Sequence, residues 1–161
     1  MYFIGIDLGT SAVKILLMRD DGKIVNSVTK IYPISFPYTG WSEQNPEDWL
    51  GETKKGLVEL MAGYPKEELV GISFGGQMHG LVVLDENDRV IRPAILWNDG
   101  RSSEETEFLN TSVGRKVLSE RTANIAFAGF TLPKILWMKK HELDLFSKIR
   151  RIMLPKDYLI Y

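Results

Sequence analysis

The stretch Ile4-Gly5-Ile6-Asp7-Leu8-Gly9-Thr10-Ser11-Ala12-Val13-Lys14 constrains the fold of this chain more than any other. A short apolar strand is expected over Tyr2–Ile6, running into Asp7. A tight Gly-Thr-Ser turn follows, then a second apolar strand over Val13–Met18. Strands joined by so short a turn pair antiparallel. Gly9 is read as the residue that gives the turn positive φ and keeps a Cβ out of a close backbone approach. Thr10 and Ser11 add hydroxyls and N–H groups, a suitable lining for phosphate oxygens. Asp7 brings a carboxylate to the strand end, where Mg²⁺ or a water beside those phosphates could be held. A loop between two antiparallel strands is not the P-loop pattern, which leads into a helix. Asp, Gly, Thr and Ser are also common residues of ordinary hairpin turns. The turn alone therefore leaves both readings open.

The next residues extend the pattern into a meander. Arg19-Asp20-Asp21-Gly22-Lys23 reads as a polar hairpin turn, and Ile24–Ile31 as a third strand. Tyr32–Gly40, with Pro33 and Pro37, reads as an extended loop. Asn45 is a good N-cap, Pro46 suits a first helical turn, and Glu47 and Asp48 favour the positive helix end. Trp49, Thr53, Leu57 and Leu60 recur at helical spacing, so a helix is predicted to about Met61, with Trp49 in its packed face. Leu69–Phe74 is a further short apolar strand.

A crossover helix between strands implies parallel pairing with a right-handed connection. Ligands of such sheets sit beyond the carboxyl ends of the strands. This places the Asp7 loop and the Gln77–Gly80 loop in one crevice. A lone histidine between glycines is usually only a loop residue. At a strand's carboxyl end, His79 becomes a credible ligand contact.

Leu81–Leu84 reads as a strand, Asp85–Asp88 as a turn, and Arg89–Ile91 as a segment pairing back. Trp97-Asn98-Asp99-Gly100-Arg101 joins a flat ring to amide, carboxylate and guanidinium groups, the chemistry of polyol recognition. The plainer alternative is a core tryptophan, with Asp99 capping a helix from Arg101 to about Leu109. A short helix is expected near Gly114–Leu118, and Asn124–Phe130 is irregular. Thr131 is expected to cap a helix through about Lys140, with Leu132, Ile135 and Leu136 on one face. Trp137 and Met138 widen that face, so the helix is expected to be buried on two sides. Ile149–Leu154 reads as a last strand and Lys156–Tyr161 as the start of a helix. Its apolar, uncapped end suggests that the chain stops within a domain. Around Trp137 and Tyr158–Tyr161 an apolar, exposed surface is expected.

Composition excludes several classes. The chain of 161 residues has 20 basic and 21 acidic side chains, a balance that does not point to nucleic acid or an anionic membrane. It has no cysteine, so neither disulfides nor thiolate chemistry enter. With 44% hydrophobic residues it is globular in composition, and no apolar run approaches a membrane span. The first strand begins at residue 2, so no leader is expected and the cytoplasm is the default location.

Gly5-Ile6-Asp7-Leu8-Gly9-Thr10-Ser11 resembles the first phosphate loop of the sugar kinases that include glycerol kinase and xylulokinase, within the actin, hexokinase and heat-shock-chaperone superfamily. Gly76-Gln77-Met78-His79-Gly80 and Trp97-Asn98-Asp99-x-Arg101 resemble xylulokinases in particular. The Trp41-Ser42-Glu43-Gln44-Asn45-Pro46 and Gly129-Phe130-Thr131-x-Pro133-Lys134 segments are similar to structural motifs of the same family. The resemblance covers the whole chain and implies an α/β, ribonuclease H-like fold: a mixed sheet of five or so strands with helices on both faces. These residues would form most of the first, sugar-binding domain of a two-domain kinase.

The implied reaction is ATP-dependent phosphorylation of a ketose with Mg²⁺. Asp7 would be the catalytic carboxylate that organises the metal, and Gly9, Thr10, Ser11 and Lys14 would face the γ-phosphate. Met78 would pack on the sugar's carbon skeleton, His79 would hydrogen-bond a hydroxyl, and Trp97 and Asp99 would line the sugar site. The general base and most of the adenosine site would lie outside these residues, so the chain alone is expected to be inactive. A kinase for ribulose, gluconate or glycerol remains open, as do a homodimer and a non-enzymatic, actin-like nucleotide switch on the same fold.

Overall fold

The computed structural model describes all 161 residues. In chain order the elements are β1 (Tyr2–Leu8), β2 (Ala12–Arg19), β3 (Ile24–Ile31), β4 (Glu43–Gln44), α1 (Pro46–Leu60), a 3₁₀ turn (Lys66–Glu68) and β5 (Leu69–Gly76). There follow β6 (Val82–Leu84), β7 (Ala94–Ile95), α2 (Ser103–Phe108), a π-helical turn (Leu109–Gly114), α3 (Arg115–Thr122), α4 (Thr131–His141), α5 (Leu143–Phe146), β8 (Arg151–Met153) and α6 (Pro155–Ile160). The chain folds as two compact units that alternate along the sequence. The first comprises Met1–Pro33, Pro46–Gln77 and Pro155–Tyr161, and the second Ile34–Asn45 and Met78–Leu154.

The first unit is built on a four-stranded sheet of order β3-β2-β1-β5. The meander pairs antiparallel, and β1 pairs parallel to β5, as the crossover through α1 requires. Alternation along β1 and β2 sends Ile4, Ile6, Leu8, Val13, Ile15 and Leu17 into the core. Each such side chain stabilises the fold by ~1.5–3 kcal/mol relative to exposure. Helix α1 covers this layer with its buried Trp49, Thr53, Gly56 and Leu60 stripe. Helix α6 packs on α1 and β5, where the Tyr158 hydroxyl donates to Glu47 Oε1 at 2.8 Å. Outside β5 no strand pairs, and Val70 and Ile72 are 58% and 47% exposed.

In the second unit β4 pairs antiparallel with β7, and β6 with β8. Ile91 N–H donates to Val83 O, so the 89–91 segment does pair back on β6. One core cluster joins Leu81, Val83, Ile95, Trp137 and Met138. A second joins Leu109, Leu118 and Ala126, with Leu136 packed against it. Helix α4 contributes to both, as its two-sided apolar pattern predicts.

Several expectations need correction. The main sheet has four strands, because the strands after β5 find other partners: β6 pairs with β8, and β7 with the earlier β4. The expected helix from Arg101 begins at Ser103 and runs on through the π turn into α3. Neither Asp99 nor Thr131 caps a helix: no side-chain cap bond forms at the start of α2 or of α4. Leu132 is exposed, and the buried face of α4 is Pro133, Lys134, Trp137 and Met138. Trp137 and Tyr158 are buried rather than exposed, leaving only Ile160 and Tyr161 open at that end. Gly9 lies outside the positive-φ region. What it supplies is space, since a Cβ there would sit 3.0 Å from Ala12 O, the atom its own N–H donates to.

Candidate functional site

The residues expected to face phosphate, with Asp7, all belong to the first unit. Asp7, the last but one residue of β1, stands in register with Lys14 on β2 and with Gly75 on β5. Cross-strand partners share a face of the sheet, so one exposed carboxylate and one exposed ammonium stand side by side at the strand ends. The turn between them closes through Gly9 N–H to Ala12 O at 3.0 Å. It is anchored by Tyr32, a residue of the loop after β3 that carries no local signal of this role. Tyr32 is buried, its hydroxyl donates to Gly9 O at 2.5 Å, and its N–H donates to Ser11 O at 3.3 Å. Burial, and then the charge of Asp7, push the Tyr32 phenol well above the usual tyrosine range. It therefore stays a donor to the turn. On the β5 side, Gln77 N–H donates to Leu8 O at 2.7 Å. No three His, Cys, Asp or Glu side chains group into a ready-made metal cage. A single exposed carboxylate such as Asp7 suits Mg²⁺, which keeps several waters and takes one or two carboxylates plus phosphate oxygens.

Met78, His79, Trp97 and Asp99, expected to line a sugar site, all belong to the second unit. Met78 is 66% exposed and Trp97 is 49% exposed, so both offer apolar surface to a ligand. The His79 ring stacks on Phe130 at 4.3 Å between centroids and 20° between planes. Its carbonyl accepts from Lys134 Nζ at 2.7 Å and from Thr131 Oγ1 at 3.2 Å. Gly129 lies against the Trp97 carbonyl, with no room for a side chain.

Asp99 is buried, and protein donors take both of its oxygens. Oδ2 accepts from Ser42 N–H at 2.6 Å and Arg101 Nη2 at 2.7 Å; Oδ1 accepts from Arg101 N–H and Nε, both at 2.9 Å. The Arg101 guanidinium lies 3.7 Å over the Trp41 ring and 2.7 Å from Glu43 Oε1. Glu43 also pairs with Arg92, which binds Glu142 at 2.6 Å and 2.7 Å. Breaking one partner of such a buried network costs ~3–5 kcal/mol, because it strands the other charge. Asp99 thus holds the turn after Trp97 against the Trp41–Glu43 segment.

Lys134 reads from the sequence only as part of a packing helix, since nothing in helical periodicity marks a buried lysine. It is 0% exposed, and its ammonium bridges His79 O and Gly129 O, both at 2.7 Å. Burial pushes it down to about 7, against the Asp99 carboxylate, which raises it, and with Arg101, which lowers it further. A neutral amine still has two N–H donors, so both bonds survive deprotonation. The folded value lies below the ordinary lysine value, so the unfolded chain binds the extra proton between the two. Stability therefore rises with pH above about 7. Urea midpoints are expected to increase between about pH 7 and pH 9, and Lys134→Met to flatten that rise; a parallel slope in the variant would assign it elsewhere.

Residues 2–161 match the N-terminal domain of the FGGY family of carbohydrate kinases, and the chain belongs to that family. Among individual relatives, it is 47% identical over 160 residues to the xylulose kinase of Staphylococcus xylosus, covering 99% of this chain and 33% of that protein. The crystal structure of the xylulose kinase from Brucella ovis superposes with a TM-score of 0.93 at 42% identity, over 99% of this chain and 34% of that one. The gluconate kinase of Lactobacillus acidophilus superposes with a TM-score of 0.92 at 26% identity, over 99% and 32%. The chain thus spans about a third of the length of the relatives it matches. The neighbours bear out the mixed-sheet, actin- and hexokinase-like fold class. No helix is long and apolar enough to cross a membrane.

Proposed function

We propose that the full-length protein carrying this chain transfers the γ-phosphoryl group of ATP to a ketose hydroxyl, with D-xylulose the preferred acceptor, in the cytoplasm. The observation that carries this reading is the near-half identity to a xylulose kinase along the whole chain. The exposed Met78 and Trp97 and the held His79 support it with side chains suited to a polyol. In this reading these 161 residues are most of the sugar-binding domain of a two-domain kinase.

Phosphoryl transfer needs positioning and charge neutralisation more than covalent chemistry. Bound Mg²⁺ neutralises phosphate charge, and Asp7 is the residue that would hold it or its waters. Gly9, Thr10 and Ser11 line the phosphates, and Lys14 adds positive charge beside Asp7. Met78 and Trp97 pack on the sugar's carbons, and His79 hydrogen-bonds a hydroxyl. Asp99 serves the sugar side by bracing the Trp97 turn. The general base comes from outside these residues, so the chain alone supports no turnover. A different acceptor, such as gluconate, is the second reading, favoured by how closely a gluconate kinase shares this fold.

A coupled ADP-release assay on the full-length protein tests both. Xylulose is expected to give the highest kcat/KM in a panel with ribulose, gluconate and glycerol. His79→Ala is expected to raise the xylulose KM several-fold to ~tenfold, the worth of a hydrogen bond to a neutral hydroxyl, with the ATP KM unchanged. Gluconate-dependent turnover exceeding xylulose would install the second reading. An unchanged xylulose KM would remove His79 from the site.

A further inference from the structure

Three side chains from one short stretch converge on one residue outside it. Lys134 and Thr131 both donate to the carbonyl of His79, and the Phe130 ring stacks on its imidazole. His79 needs such support, because its φ of 61° is a conformation that side-chain-bearing residues rarely adopt without it. Its backbone also closes a tight turn, with Gly80 N–H donating to Met78 O at 2.8 Å.

Lys134 is unusual in its own right. Lysine is almost never fully buried unless its ammonium is satisfied. Here the satisfying groups are two loop carbonyls, His79 O and Gly129 O, so one ammonium links the 78–80 turn to the 124–130 loop. The rest of the buried face of α4, Pro133, Trp137 and Met138, is apolar. A methionine at 134 would fill the same space. What it would lack is the two donors.

We propose that Phe130, Thr131 and Lys134 form a cradle that holds His79 in its left-handed turn and sets the direction of its imidazole. They are positioning residues acting through His79. Their effect on sugar selection rests on the assignment of His79 to the sugar site made above; the cradle itself does not. Lys134 and Thr131 fix the backbone, and Phe130 fixes the ring plane. Losing the first two releases the turn, whereas losing Phe130 frees only the ring.

The chain offers an internal control, because it contains only two histidines, His79 and His141. Both stack on aromatic rings, His79 on Phe130 and His141 on Trp137 at 5.1 Å, so both imidazoles carry ring-current shifts. In the chain labelled with ¹³C-histidine, Lys134→Met is expected to move the His79 ring signals toward free-histidine values and broaden them. Those of His141, on the same helix, are expected to stay in place. Phe130→Leu is expected to abolish the His79 ring shift without broadening. Where Lys134→Met loses both histidine signatures through unfolding, Thr131→Val decides, since it removes one hydroxyl donor at nearly constant volume and should broaden His79 alone.

In the full-length protein the Lys134→Met or Thr131→Val variant is expected to raise the sugar KM several-fold to ~tenfold, as loss of the His79 contact does, and to leave the ATP KM unchanged. His79 signals that coincide with wild type in folded variants overturn the cradle. Released His79 signals with an unchanged sugar KM overturn instead the sugar role of His79, and with it the link to selection.

Discussion

On the proposed function, Asp7→Asn is expected to lower the turnover of the full-length protein by ~10²–10³, the usual cost of losing one preorganised charge-stabilising group, while leaving the fold intact. Asn keeps the shape of the side chain, removes its charge and turns one acceptor oxygen into an NH₂ donor. The carboxylate is exposed at the end of β1 and forms no ion pair, so folding does not depend on that charge. Its neighbours are Lys14 across the antiparallel pair and Gly75 across the parallel one, and neither covers it. Measured kcat should therefore fall while the thermal midpoint stays within the error of wild type. Near-normal turnover in the folded variant would reduce Asp7 to a turn residue.

Gly129→Ala is expected to destabilise the protein by ~1–3 kcal/mol, the range for overpacking, and to raise the sugar KM together with it. A Cβ at this position would lie 2.4 Å from the carbonyl oxygen of Trp97. That atom is backbone, so no rotamer change can make room, and the Trp97 turn has to move. The same turn is also held by Asp99, through Ser42 and Arg101, so it cannot yield freely. Gly51→Ala is the matching control. Gly51 lies inside α1 with open space around it, and alanine there should stabilise by ~0.5–1 kcal/mol. Thermal midpoints moving in opposite directions are the expected outcome. A Gly129→Ala protein as stable as wild type, with unchanged sugar KM, would show that the Trp97 turn is soft.

What the sequence made legible were features written in local patterns. Alternation from Tyr2 to Ile31, the Asn45-Pro46 helix start and the apolar run after Leu69 suffice for the meander, α1 and the parallel β1–β5 pair. Features set by distant partners were not legible. Tyr32 anchors a turn more than twenty positions earlier. Lys134 looks like a surface lysine on a helix, yet its acceptors lie at Gly129 and at His79, the latter 55 positions away. Trp137 looks free to cover a missing surface, but Trp41, His141 and the guanidinium of Arg101 already surround it. The Glu43–Arg92–Glu142 pairs join segments about fifty residues apart, and charges so separated carry no periodicity. The interleaving of two units is invisible for the same reason: the pattern of any one segment does not say which core it enters.

The open edge of β5 bears on how this chain behaves in concentrated solution. Its sequence, Leu69-Val70-Gly71-Ile72-Ser73-Phe74-Gly75-Gly76, holds no charged residue and no proline. Natural sheets guard exposed edges with lysine, proline, bulges or a covering element, because a bare row of N–H and C=O groups templates another strand. Here the only irregularity in register lies at the very start of the β1–β5 pair, between Tyr2 and Phe3, so most of the strand is regular and ungated. Val70 and Ile72 supply the apolar, β-branched surface that makes edge-to-edge growth favourable. Left uncovered, β5 is where ordered aggregation of these 161 residues would nucleate.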